Sequence, residues 1–347
     1  MKNADDMTAV IFKDIGEYQI VKKPIPRIIK PKDLLVKVLI ASICGTDVHI
    51  LDNPPKIPAE KGIILGHEFV GEVLETGSDV TAFKVGDRLI CDNNIPCDVC
   101  PMCLSGNRNL CMNMHSMGVH VDGIFSQYAV VPEKMCVGIS DDIPLETAIF
   151  AEPLNCVMGA IDKIRMLPGE NVLVLGGGPI GLYFAKLLKI NGAAKVIVSE
   201  VSEYRSKFAS QIGADRVINP SKENLYKEVL RETCNIGADV VVDAVGTLVN
   251  DAINCVRPAG KVMIFGLNNS MRQTVSEYDI AAKSIQIYGN FVGNFTLLST
   301  AKLLESGLID IQNLITHKLS LTQFGAGMEA MRKGKAMEVV LYPFDLT

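Results

Sequence analysis

The chain is predicted to carry a doubly wound, parallel α/β domain set inside a β-rich half, and three observations predict it. Between residues 171 and 288 nearly continuous apolar runs alternate with segments of helical spacing, the pattern of strands buried on both faces by crossover helices. Before residue 140 the chain is a series of short β-prone runs separated by turns such as Gly-Asp and Gly-Ser, as in a partly closed, loop-rich barrel. After Gly289 the strand–helix rhythm stops, yet the chain ends on one more strand, Glu338-Val339-Val340-Leu341-Tyr342. The tail is therefore expected to return to the β-rich half. Residues 1–154 and 295–347 would form one domain, with residues 155–294 inserted between its parts.

Length and composition agree with that plan. A chain of 347 residues is long for one core and comfortable for two. With 48% apolar and 21% charged residues it has the make-up of an ordinary globular protein. A net charge of −5 without a run of Lys and Arg argues against a nucleic-acid partner. Apolar stretches all fall short of the roughly 20 residues of a membrane span, and the start, Met1-Lys2-Asn3-Ala4-Asp5-Asp6, lacks the basic-then-apolar pattern of an export signal. No membrane association and a cytoplasmic location are the expectations.

In the β-rich half, Thr8–Phe12 and Tyr18–Val21 flank Gly16, and Leu34–Ala41 is a longer strand ending just before Cys44. Gly71–Glu75, Arg88–Ile90 and Tyr128–Val131 continue the series. Leu145–Phe150 and Cys156–Met166 have helical spacing, with Pro153 interrupting and Leu167-Pro168-Gly169 closing it. Six parallel strands follow, at Val172–Leu175, Val196–Ser199, Val217-Ile218, Val240–Asp243, Lys261–Phe265 and Ile285–Tyr288, with helices such as Ile180–Ile190 and Tyr204–Ile212 between them. Thr296–Ser306 and Thr322–Arg332 read as helices of the tail.

Gly176-Gly177-Gly178-Pro179-Ile180-Gly181 sits where the first of the six strands gives way to a helix, the setting in which G-x-G-x-x-G binds a dinucleotide. Gly176 permits the tight turn, Gly178 the close approach of a pyrophosphate, and Gly181 close helix–sheet packing. Pro179 and Ile180 open the helix, where proline loses no needed hydrogen bond. The domain is thus a Rossmann domain. Glu200 ends its second strand, where a carboxylate accepts ribose hydroxyls and repels a 2′-phosphate. Arg205, one helical turn on, would lie against adenine or a phosphate. NAD is the cofactor expected. Val245, Gly266 and Leu267 follow strand ends on the side where such sheets bind ligands.

Ten cysteines with no export signal argue against a disulfide framework. Cys97-x2-Cys100-x2-Cys103-x7-Cys111 supplies four thiolates, a closed tetrahedral set suited to a structural zinc. Disulfides are the competing reading, disfavoured by the expected cytosol. Most other cysteines read as small buried hydrophobes. Cys44 is the exception, because His67 and Glu68 follow within the same stretch. Thiol, imidazole and carboxylate are the ligand types of a catalytic zinc that keeps a position open. Thr46, two residues from Cys44, adds a hydroxyl to the same stretch. His115, His120 and His317 have no comparable context.

These motifs together resemble the zinc-binding medium-chain dehydrogenases, the alcohol, sorbitol and threonine dehydrogenase group. The signature G-H-E-x2-G-x5-G-x2-V of that family is met by Gly66, His67, Glu68, Gly71, Gly77 and Val80. Cys-Gly-Thr-Asp-Val-His, the four-cysteine lobe and the central dinucleotide domain occur in the family's order, over essentially the whole chain. The resemblance implies a GroES-like catalytic domain around the Rossmann domain, two zinc ions per chain, NAD, a small-molecule alcohol substrate and a homo-oligomer, dimer or tetramer. It implies catalytic zinc on Cys44 and His67, with Glu68 or Glu152 as acidic ligand. Liver-type enzymes have a second Cys where this chain has Ala151-Glu152-Pro153-Leu154-Asn155-Cys156, and Glu-Pro-Leu looks like the polyol and threonine branch. By the same resemblance His49 receives the proton from Thr46 through the nicotinamide ribose, and Phe291 lies near the nicotinamide amide. The activity expected is oxidation of a secondary alcohol, a polyol or sugar derivative, with L-threonine 3-dehydrogenase as the alternative in the same class. A non-catalytic zinc and nucleotide binder is the alternative of another class.

Overall fold

The computed structural model describes residues 6–268 and 271–344; residues 1–5, part of the start read for an export signal, lie outside them. The chain divides into two compact units, one of Met1–Asn155, Asn294–Gly307 and Gln312–Thr347, the other of Cys156–Gly293 and Leu308–Ile311. The sequence reading assigned that short Leu308–Ile311 segment to the first unit.

In the first unit the strand Asp33–Ser42 is the hub of a seven-stranded sheet. It is buried along almost its whole length, which is why it reads as a continuous apolar run. Along one edge it pairs antiparallel with Glu68–Thr76. The other edge is shared by Tyr128–Pro132, opposite its first half, and by Glu338–Tyr342, opposite Ala41 and Ser42. The last strand of the tail thus closes onto the strand that leads to Cys44. The core beneath gathers Val10, Phe12, Leu34, Val36, Phe69, Phe125 and Phe324, with Phe125 and Phe324 in ring contact at 5.3 Å.

Several elements of this unit differ from the sequence reading, and two of them bear on the site and the sheet. One uninterrupted helix spans Ala151–Ile164 and passes through Pro153; Pro153 lies in its first turn, where the missing N–H costs nothing. A strand not anticipated, Ile315–Ser320, pairs parallel with Glu338–Tyr342. None of its residues is fully buried, so it carries no period-two signal.

The second unit is a six-stranded sheet, parallel throughout. Its strands run, in space, Arg216–Ile218, Lys195–Ser199, Asn171–Leu175, Ala238–Asp243, Val256–Ile264 and Gln286–Gly289. In chain order this is 3-2-1-4-5-6, the doubly wound arrangement whose direction of winding reverses between the first and fourth strands. Ligands bind at the carboxyl ends of such strands, at the reversal. The loops there begin at Gly176 and Ala244. Among the described residues no helix is long and apolar enough to cross a membrane.

Candidate active site

The antiparallel register of the first unit assembles the candidate metal site. Ser42 stands opposite Glu68 and Ala41 opposite Phe69. The residue two beyond one strand therefore meets the residue just before the other. One ligand atom each from Cys44, His67 and Glu68 falls within 4.8 Å of the others. His67 and Glu68 are buried and Cys44 is half-buried. Gly66 enters at φ +85°, and a Cβ there would stand 2.4 Å from the Phe125 ring, so the turn into His67 requires glycine. The Ser42 hydroxyl donates to Glu68 Oε2.

Cys44 caps the short helix Gly45–Ile50, and its N–H donates to Asp47 Oδ2 at 2.9 Å. Asp47 is fully buried. Its other oxygen, Oδ1, and the Nδ1 of His67 are both buried without a hydrogen-bond partner. Burial pushes the Asp47 carboxyl up to about 6, against the opposing pull of His67. Burial, then the charges of Glu68, Asp47 and Glu152, push the Cys44 thiol well above its ordinary range. A thiol among three carboxylates suits a divalent cation, which ionises a coordinating thiol outright. The donor set of soft sulfur, imidazole and carboxylate fits zinc.

Glu152 is buried in the first turn of Ala151–Ile164. Its charge reaches Cys44 and Cys91, but it is outside the set whose ligand atoms share the 4.8 Å limit. Of the two carboxylates left open by sequence, Glu68 is the one within ligand reach. Thr46 and His49 sit three residues apart on the Gly45–Ile50 helix, hence on neighbouring positions of one face. His49 Nδ1 is 3.5 Å from Asp52 Oδ2, and its side chain is 37% exposed. Sequence reasoning passed over Ser42, Asp47 and Asn155. Asp47 had a signal, an acid three residues after the helix cap. Ser42 and Asn155 had none. Asn155 is buried, donates to Asp92 Oδ2 at 3.1 Å and accepts from the Thr296 hydroxyl at 2.6 Å.

The ligand atoms of Cys97, Cys100, Cys103 and Cys111 also lie within 4.8 Å of one another, and all four cysteines are free. Cys100 Sγ is 3.5 Å from that of Cys103 and 3.9 Å from that of Cys111. Tetrahedral bonds of about 2.3 Å set sulfurs about 3.8 Å apart, whereas a disulfide needs about 2.05 Å. The backbone N–H groups of Cys103 and Met112 hold the Cys100 thiol down to about 6, while burial and the neighbouring Cys100 and Cys111 push Cys103 up to about 12. Four thiolates can ionise together only around a cation, and the four-sulfur set fits a structural zinc.

In the second unit Gly176 takes φ +101°, and a Cβ on Gly181 would stand 1.8 Å from the Gly176 carbonyl oxygen. Gly178 caps the helix Pro179–Ile190, so Pro179 and Ile180 form its first turn and its free N–H groups face the loop. Glu200 is buried and accepts from Gly177 N at 2.8 Å and Ser202 N at 2.7 Å. It holds the glycine loop as well as standing where a ribose would lie. Arg205 Nη1 is 3.8 Å from the position of a Cβ on Gly178, beside the phosphate loop. Asp243 Oδ1 accepts from Val245 N and Gly246 N, which anchors the loop carrying Val245. Val245, Leu267 and Phe291 are exposed, and Gly266 packs so tightly on Val245 that a Cβ would stand 2.2 Å from its carbonyl carbon.

Comparison with known proteins gives these geometries a class. The alcohol dehydrogenase GroES-like domain family matches residues 30–141, and the zinc-binding dehydrogenase family matches residues 179–306. Fold and site together define an NAD(P)-dependent, zinc-binding alcohol oxidoreductase. L-threonine 3-dehydrogenase of Caldanaerobacter subterraneus subsp. tengcongensis is 39% identical over 353 residues, 97% of this chain and 99% of that protein. A candidate zinc-binding dehydrogenase from Sinorhizobium meliloti 1021, bound to NADP, has a TM-score of 0.93 at 31% identity over 97% of this chain and 99% of that one. An alcohol dehydrogenase from Escherichia coli CFT073, complexed with NADH, has a TM-score of 0.91 at 28% identity over 98% of this chain and 100% of that one. The chain belongs to the zinc-dependent medium-chain dehydrogenase family.

Proposed function

We propose that this protein oxidises the secondary hydroxyl of a β-hydroxy amino acid, with L-threonine as the reference substrate and NAD as the acceptor. Motifs alone put a polyol first and threonine second. The full-length likeness to a threonine 3-dehydrogenase, 39% over 97% of the chain, reverses that order, and it is the observation that carries the reading. A zinc ion on Cys44, His67 and Glu68, with Glu152 beyond them, would lower the pKa of the substrate hydroxyl.

The chain's own residues supply the rest. Thr46 presents a hydroxyl one helical turn from His49, so a proton taken at Thr46 Oγ1 has an imidazole on the same face to move to. His49 is partly exposed, and Asp52, 3.5 Å from its Nδ1, would orient the ring toward the water that takes the proton. Asp47, buried beside the Cys44 N–H, orients the cap from which the cysteine projects. The second zinc, in the four-cysteine lobe, is structural. Glu200 selects NAD over NADP by its charge, and Gly176, Gly178 and Gly181 keep the pyrophosphate path clear.

An NAD-reduction screen over L-threonine, polyols, sugar acids, inositols and simple alcohols, with zinc and with a chelator, tests the reading. Threonine is expected to have the highest kcat/KM. A polyol that outperforms it restores the polyol reading, and no metal-dependent reduction with any alcohol supports a non-catalytic binder. In the same assay Glu200→Gln is expected to narrow the preference for NAD over NADP by about tenfold, since a charge repulsion of roughly 1.4 kcal/mol is removed. An unchanged ratio would place cofactor choice elsewhere, with Arg205 the next residue to test.

A further inference from the structure

We propose that Ser42 is a positioning residue for the metal, its hydroxyl holding the Glu68 carboxylate as a one-oxygen ligand beside Cys44 and His67. The inference rests on the reading of those three residues as a zinc site. Ser42 is itself no ligand type for zinc, and nothing in its sequence context marks it. The structure does. It is buried, as is Glu68, and the two are direct partners across antiparallel strands. The Ser42 Oγ donates to Glu68 Oε2.

A serine hydroxyl has one proton to give, and here it is given to one of two carboxylate oxygens. That leaves Oε1 for an ion and holds the plane of the carboxylate against rotation. The donor cannot drift, because Ser42 is paired on both edges, with Glu68 on one side and Val340 on the other. The neighbouring Ile43 N–H is bonded to the Val339 carbonyl at 3.0 Å. A strand locked on both sides thus aims a hydroxyl at the carboxylate that, among the described residues, shares the Cys44–His67 cluster. The Glu68 carboxylate is then held by a residue outside the ligand set, and partners of this kind typically carry 10–100-fold of metal affinity.

The test is metal affinity, not turnover. The full-length protein is stripped and reloaded with cobalt(II), whose thiolate charge-transfer and d–d absorption report the Cys44 site and the four-cysteine lobe, and each ion is titrated out with a chelator. Ser42→Ala is expected to weaken the Cys44-site ion by about 10–100-fold and leave the lobe ion unchanged. Ser42→Thr should hold the ion more tightly than Ser42→Val; these two share one shape and differ by the hydroxyl, which keeps the test valid if the alanine variant folds poorly. Glu68→Gln should weaken the same ion, and adding Ser42→Ala to it should cost nothing more, because the serine acts through the carboxylate. Unchanged affinity in Ser42→Ala, or an equal loss in the Glu68→Gln background, overturns the proposal. If the wild-type protein takes up only the lobe ion, the zinc reading of Cys44, His67 and Glu68 fails with it.

Discussion

Cys44→Ser is expected to lower turnover by about 10³-fold or more while NAD binding, followed by cofactor fluorescence, stays within about twofold of wild type. Several kcal/mol of transition-state stabilisation come from a Lewis acid at an alcohol oxygen, and about 4 kcal/mol corresponds to 10³ in rate. Serine keeps the shape but is a poor zinc ligand. The nucleotide loop belongs to the other unit, at Gly176–Gly181, so its affinity should not follow. The helix cap is retained as well, since the hydrogen bond from residue 44 to Asp47 uses the backbone N–H. Turnover within tenfold of wild type would remove Cys44 from the ligand set. A parallel collapse of NAD binding would mean that the substitution had damaged the fold.

Cys103→Ser is expected to do the reverse, costing zinc and stability before chemistry. The lobe has little apolar material of its own. Its buried cluster is Cys100, Cys103 and Cys111, with Cys97, Met102 and Met114 packed against it. Leu104, Leu110 and Met112, by contrast, are exposed. A metal ion on the four thiolates would therefore hold the lobe, and its binding energy would be folding energy. Losing even about 3 kcal/mol of the roughly 10–16 kcal/mol that a structural zinc contributes lowers melting by about 6–12 °C, at 2–4 °C per kcal/mol. Zinc content should fall by one ion per chain, with kcat initially near wild type at low temperature. Full zinc and an unshifted Tm would refute the structural site.

The two metal clusters differ in how they could be read before the fold was known. The four cysteines lie within fifteen residues of one another, Cys97 to Cys111, so spacing alone constrains them to one short loop. The glycine loop is equally local, and the 1.8 Å approach to Gly181 is the packing that the third glycine of the motif exists to permit. Cys44 and His67 are farther apart in sequence. Their ligand types suggested a pair, but it is the strand register of Ser42 with Glu68 that brings them together. Pro153 misled because proline usually breaks a helix, and only its position in the first turn of Ala151–Ile164 makes it harmless. Ile315–Ser320 went unseen because its partly exposed side chains leave no alternation to detect.

By itself, then, the sequence determined the order of strands and helices in the parallel sheet, the dinucleotide loop, the four-thiolate lobe and the types of residue at the candidate active site. These are properties of short segments, set by side-chain period, glycine at a turn, and ligand spacing. The tertiary structure alone decided which acid stands with Cys44 and His67, and that Ser42 and Asp47 surround them. It also decided that Glu200 braces the glycine loop through Gly177 N. The physical reason is that each of these is a contact between segments far apart in the chain. Glu68 and Glu152 are the same functional group on a carbon chain, and only strand pairing brings one of them within 4.8 Å of the Cys44 and His67 ligand atoms.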